Sequence, residues 1–184
     1  MKPIELAERL SACPESMEFV SQFDTIEEAW NACLRGDWML WVAAKLHVDL
    51  QTLTLAKGLC ANTARHLMKD PRSMGAVDAA IAFGRGEIDR KVLDAAAHAA
   101  AAAYDAAYDA AYVHSAYVRA AAAAYAAAYA AADTADTAAA AAYGAAYAAA
   151  AAAATGKQNR QQTADICRKI LTEVVFKRIG GLDV

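Results

Sequence analysis

The stretch LDAAAHAAAAAYDAAYDAAY, residues 93–112, decides the fold. It contains no proline or glycine, and its large residues recur at helical spacing on a background of alanine, the residue with the best helix propensity. At about 100° per residue, Leu93, Tyr104, Tyr108 and Tyr112 fall within roughly 100° of one another, and Asp94, Asp105 and Asp109 form a parallel acidic stripe beside them. The same composition runs outward to Ile88 and Ala154, and about two residues in three between Ala95 and Ala154 are alanine. All eight tyrosines of the 184-residue chain lie in this tract. As one helix, 88–154 would be about 100 Å long at 1.5 Å per residue, against a radius of gyration of about 16 Å for a compact domain of this size. The tract must therefore fold back. Val113-His114-Ser115 and Asp133-Thr134-Ala135-Asp136-Thr137 carry the capping residues that allow it, which predicts about three helices. Alanine faces let these helices approach at the short end of the 8–10 Å range of axial distances.

Before the tract, helix punctuation is dense. Asp24 or Thr25, with Glu27 or Glu28 at the capping-box position, predicts a helix through Trp30 and Cys33, ended by Gly36. Asp37 is the expected N-cap of a Trp38–Leu46 helix, and Asp49 that of a longer one reaching about Met68. In the latter, Leu50, Leu53, Leu55, Ala56, Leu59, Cys60 and Leu67 form an apolar face, with Lys57, Arg65 and Lys69 placed off it, and Pro71 ends it. A fourth helix from about Ser73 to Phe83 stops at Gly84-Arg85-Gly86. After the tract, about Gln161 to Phe176 reads as a last helix with Ile166, Ile170 and Val174 on one side. The expectation is an all-α protein, a multi-helix array or bundle of closely packed alanine-rich helices. Its parts are 1–87 with a tryptophan-rich motif, 88–156, and a carboxy-terminal helix within 157–184, together one compact domain.

The charge balance, Lys+Arg 18 against Asp+Glu 21, lacks the basic excess of a dedicated nucleic-acid binder. Residues 1–30 hold seven acids against Lys2 and Arg9, whereas Lys157, Arg160, Arg168, Lys169, Lys177 and Arg178 face only Asp165 and Glu173, so the two ends can attract. Glu5, Glu8 and Arg9 interrupt any signal-peptide core, and the uncharged stretch 137–156 lacks the Leu, Ile and Phe of a membrane span. A cytoplasmic protein with no membrane and no nucleic-acid partner is expected. Cys13, Cys33, Cys60 and Cys167 are widely spaced without a Cys-x-x-Cys pair, and read as reduced, buried thiols.

No phosphate loop, nucleophile elbow, dinucleotide fingerprint or metalloprotease motif occurs, so the expectation is a non-enzyme without cofactor or metal. Asp94, His98, Asp105 and Asp109 lack the second ligand-bearing helix of a metal centre and read as a solvated helix face. Trp30, Trp38 and Trp41 read first as core groups, and Arg35-Gly36-Asp37 as a helix-capping segment. Tyr104 and Tyr108, with Asp94, Asp105 and Asp109, are the candidate partner-binding residues, because an aromatic anchor bordered by acids suits a basic protein surface. Tyr125/Tyr129 and Tyr143/Tyr147 lack that border and are core candidates.

Ala29-Trp30, Cys33-Leu34-Arg35-Gly36-Asp37-Trp38-Met39-Leu40-Trp41, Leu53 to Arg65, Gly84-Arg85-Gly86-Glu87 and Ala164-Asp165-Ile166-Cys167-Arg168-Lys169 together resemble the all-α immunity proteins of bacterial polymorphic toxin systems, relatives of which occur in phage genomes. The Arg-Gly-Asp-Trp-x-Leu-Trp core is the specific part. In that family the tract often alternates alanine with arginine, whereas here it alternates with tyrosine. The resemblance implies a non-catalytic protein that binds and neutralises a toxin or effector protein. The alternative is a phage counter-defence protein that blocks or sequesters a host defence factor. A regular threonine repeat of the ice-binding kind is absent.

Overall fold

The computed structural model describes residues 1–110, 116–128 and 156–182. Among them the chain is all-α, with helices α1 (Pro3–Arg9), α2 (Pro14–Val20), α3 (Ile26–Ala32), α4 (Gly36–Lys45), α5 (Leu50–Asn62), α6 (Pro71–Gly84), α7 (Arg90–Ala110), α8 (Ala116–Ala128) and α9 (Gly156–Gly180), and a single 3₁₀ turn at Arg65–Leu67. Local chemistry accounts for most of the starts. Thr25 and Glu28 form a reciprocal capping box, the Thr25 hydroxyl accepting from the Glu28 N–H at 3.2 Å and the Glu28 carboxylate from the Thr25 N–H at 3.1 Å. Asp49 accepts from Thr52 N–H at 2.9 Å to open α5, and Asp70 accepts from Arg72 N–H at 2.8 Å to open α6. Pro71, expected to end the preceding helix, is instead the first residue of α6, where its missing N–H costs nothing.

Further expectations are corrected. Helix α5 ends at Asn62 rather than near Met68, and the chain passes through the 3₁₀ turn before α6. Gly36 does not end α3 but opens α4, and Asp37 lies inside the first turn of α4 rather than capping it. Lys57, placed off the apolar face of α5, is only 1% exposed. The reason is tertiary: α5 packs against α4, α6, α8 and α9, so little of its surface is left for water. The last helix is also longer than read. Its most buried positions are Thr163, Ala164, Cys167, Leu171 and Val175, with Ile166, Ile170 and Val174 on the partly buried flank.

The apolar residues fall into two main clusters that share α5. One joins Ala61 and Ala64 to Val77 and Ala80 of α6, Leu93, Ala97 and Ala100 of α7, and Ala123, Ala124 and Ala127 of α8. The other joins Leu53, Ala56 and Cys60 to Leu6, Trp30, Met39 and Leu40 and to Cys167, Leu171 and Val175 of α9. In the tract, α7 packs against α6 and α8, which is the folding back that chain length requires. The break at 113–115, the one at 133–137, and Tyr112, Tyr129, Tyr143 and Tyr147 lie outside the described residues.

Close approach is enforced by missing side chains. A Cβ on Gly84 would collide with Leu55, lying 2.6 Å from its Cα, whereas one on Gly75, in the same helix, would meet nothing within 4 Å. Gly84→Ala therefore destabilises the protein by about 1–3 kcal/mol through overpacking. Gly75→Ala stabilises it by about 0.5–1 kcal/mol through helix propensity. Urea unfolding of the two variants gives opposite signs.

Candidate functional site

Two surfaces gather the residues singled out in the sequence. The first begins at Arg35-Gly36-Asp37. The Arg35 guanidinium grips the nearly buried Asp37 carboxylate in a two-pronged pair, Nε to Oδ1 at 2.9 Å and a terminal nitrogen to Oδ2 at 2.7 Å, and reaches Glu15 of α2 at 3.3 Å. Its carbon centre lies 4.4 Å from the centroid of the Trp38 ring. The motif thus ties α2 to the start of α4 through one cation. Gly36 is required for a different contact: a Cβ there would lie 2.8 Å from the backbone of Thr163, so α4 begins directly against α9.

Helix α9 also completes α3. Arg168 donates to the carbonyls of Trp30, Asn31 and Cys33, the last at 2.7 Å, at the end of a seven-residue helix whose final carbonyls have no partner within the helix. Its other nitrogen pairs with Asp165 at 2.7 Å. Arg168 thus joins the basic end to the end of α3 through carbonyl oxygens, a contact distinct from the charge attraction expected between the two ends.

The tryptophans divide. Trp30 is buried, stands edge-on to Phe176, and donates from its indole nitrogen to Thr172 Oγ1 at 2.9 Å. Trp38 and Trp41 are only partly buried. Together with Trp30 they wall a pocket of about 380 Å³ between α1, α2, α3, α4 and the end of α9, completed by Leu6 of α1, Leu10 just after it, Phe19 of α2 and Ile179 of α9. Sequence reasoning placed the tryptophans in the core and missed this cavity. The available signal was the Leu6/Leu10 pair and the Trp38/Trp41 pair on helices too short to close over one another.

Three of the four thiols are buried, as expected; Cys13, at the pocket lip, is exposed. Its hydrogen bond with the Ser16 hydroxyl, at 3.3 Å, holds its pKa below the ordinary thiol value. Burial pushes the Cys33 thiol up to about 11. Cys60 and Cys167, far apart in sequence, meet at 3.8 Å between α5 and α9, and this contact together with burial raises the Cys167 pKa. No group of three His, Cys, Asp or Glu side chains among the described residues is arranged to hold a metal ion.

The second surface lies on α7. Leu93 is fully buried, Tyr104 is half-buried against Ala107, Val118 and Ala121, and Tyr108 is 48% exposed. The stripe therefore rotates out of the core as it proceeds, because each step of eleven or four residues advances it by about 20–40° around the helix. The Tyr104 and Tyr108 rings lie 6.2 Å apart in a tilted pair, with Asp105 and Asp109 exposed beside them. Asp94 is about 15 Å away along the helix axis, 3.8 Å from Arg90. Tyr125 of α8 packs against the core.

Truncating Trp30 to alanine is expected to cost about 3–5 kcal/mol, and Trp41→Ala less than half of that, since Trp41 already faces the cavity. Chemical denaturation measures both. Cys13 is expected to be the only thiol that iodoacetamide modifies rapidly in the native protein, all four reacting after unfolding. Because its pKa is lowered, the rate reaches its plateau at a lower pH than for an ordinary thiol. Mass spectrometry against time at several pH values tests this.

Among the described residues no helix is long and apolar enough to cross a membrane. In comparisons with known proteins, no family model, no curated protein and no solved structure matches this chain.

Proposed function

We propose that the protein is a non-catalytic binder that neutralises a toxin or another protein effector, meeting a basic surface of that partner with the Tyr104–Tyr108 face of α7. The observation that carries this reading is Tyr108, a large aromatic residue left 48% exposed on a helix whose neighbouring side chains are small. Exposed Asp105 and Asp109 border it. Tyrosine presents a broad contact area that loses little side-chain entropy on binding, and acids at its rim steer a cationic partner before contact. The resemblance of the Arg35–Trp41 motif to immunity proteins supports the same class of activity.

The test is co-expression with a candidate toxin taken from the genes that neighbour this one. Growth is expected to be restored by the wild type, and purified Tyr108→Ala and Asp105→Lys variants are expected to bind the toxin more weakly while keeping their helical circular dichroism. The aspartate effect shrinks as salt is raised, since screening shortens the field to about 8 Å at physiological ionic strength. Variants that bind as tightly as the wild type place the contact elsewhere. Restored phage growth in a defended host, without toxin protection, assigns counter-defence instead.

A further inference from the structure

The pocket beside Trp38 and Trp41 has the dimensions and lining of a small-molecule site. Its volume of about 380 Å³ falls within the range of about 300–1,000 Å³ typical of ligand pockets. Its walls are apolar apart from Ser11, Cys13 and Ser16 at the lip and the paired Asp37. A partner helix fits poorly, because α1 and α2 have seven residues each and so offer grooves only about 10 Å long.

Charge placement selects the ligand further. On α1 and at its C-cap, Leu6, Ala7 and Leu10 face the pocket, while Glu5 and Glu8 fall on the far side at about 100° per residue. Glu18 is likewise turned away on α2, and Glu15 is engaged by Arg35. Arg35 is itself saturated by two carboxylates. Lys45 remains. It lies one turn beyond Trp41 on the face of α4 that carries Trp38, Trp41 and Val42, its Nζ 5.2 Å from the centroid of the Trp41 ring, and it makes no ion pair with a carboxylate among the described residues. Lys45 is not itself a lining residue, but a cation held against Trp41, one wall of an apolar cavity, suits a molecule with a hydrocarbon body and a negative head.

We propose that this pocket binds one small amphiphile, a medium-length hydrocarbon chain with an anionic head group, its chain against Trp38 and Trp41 and its head at Lys45. This site is separate from the α7 face and does not depend on the function proposed for that face. All three tryptophans line the cavity, so their fluorescence reports occupancy, and Cys13 at the lip supplies an independent readout.

The experiment titrates the full chain with decanoate, decanol and decyltrimethylammonium, each below its micelle-forming concentration. Decanoate is expected to give a saturable change in tryptophan fluorescence and to slow iodoacetamide modification of Cys13. Decanol binds about two- to fivefold more weakly, the range an exposed ion pair supplies, and decyltrimethylammonium more weakly still. Lys45→Gln, an exposed substitution checked by circular dichroism, brings decanoate down to the level of decanol and leaves decanol unchanged. Absence of saturable fluorescence change together with unprotected Cys13 overturns the site. Equal binding of the three probes, or tightest binding of the cationic one, overturns the anionic head group.

Discussion

Close packing around α5 is the constraint on which the other helices depend. This 13-residue helix contacts α4, α6, α8 and α9 and contributes to both main apolar clusters. Four neighbours can surround one short helix only if the contacting groups are small, and Ala56, Gly58, Ala61 and the facing Gly84 and Ala80 meet that condition. The result is dispersion contact over backbone as well as side chains, which compensates for the little area that each alanine buries. The same tightness leaves Thr54 and Lys57 buried on α5, polar residues that an isolated helix would keep wet.

The amino-terminal half follows a different logic. Its helices α1, α2 and α3 have seven residues each, too short to be stable alone in water. They are held by large aromatic groups and by two arginines that act as connectors. Arg35 links Glu15, Asp37 and the Trp38 ring, and Arg168 collects the carbonyls at the end of α3. Trp30 spans to α9 through Thr172. Three short helices assembled around aromatic rings do not interdigitate as an alanine bundle does, and the cavity against Trp38 and Trp41 is the consequence.

The two candidate surfaces differ in kind for the same reason. On α7 the background is alanine, so a large side chain that leaves the buried arc has no neighbour to cover it, and Tyr108 stands exposed. In the amino-terminal half most large residues have large neighbours, and what remains open is a concavity rather than a projection.

What the sequence alone determined was what local chemistry controls. The all-α class, the Thr25/Glu28 capping box, the Asp49 cap, the stop at Gly84-Arg85-Gly86 and the need for the alanine tract to turn back are legible, because each depends on residues within a few positions or on chain length. The outward rotation of Tyr104 and Tyr108 is also implicit in the residue spacing, although which arc is buried is not. Tertiary structure decided the rest. Gly36 reads as a helix stop until α9 is placed against it, since a glycine serves a C-terminus and a close crossing equally well. Asp37 reads as a cap until Arg35 takes its carboxylate. Lys57 reads as a solvated charge until the helices packed around α5 bury it. The pocket, likewise, belongs to no single segment: it is the space left where five helices with mismatched side chains meet, a quantity that exists only once their relative positions are set.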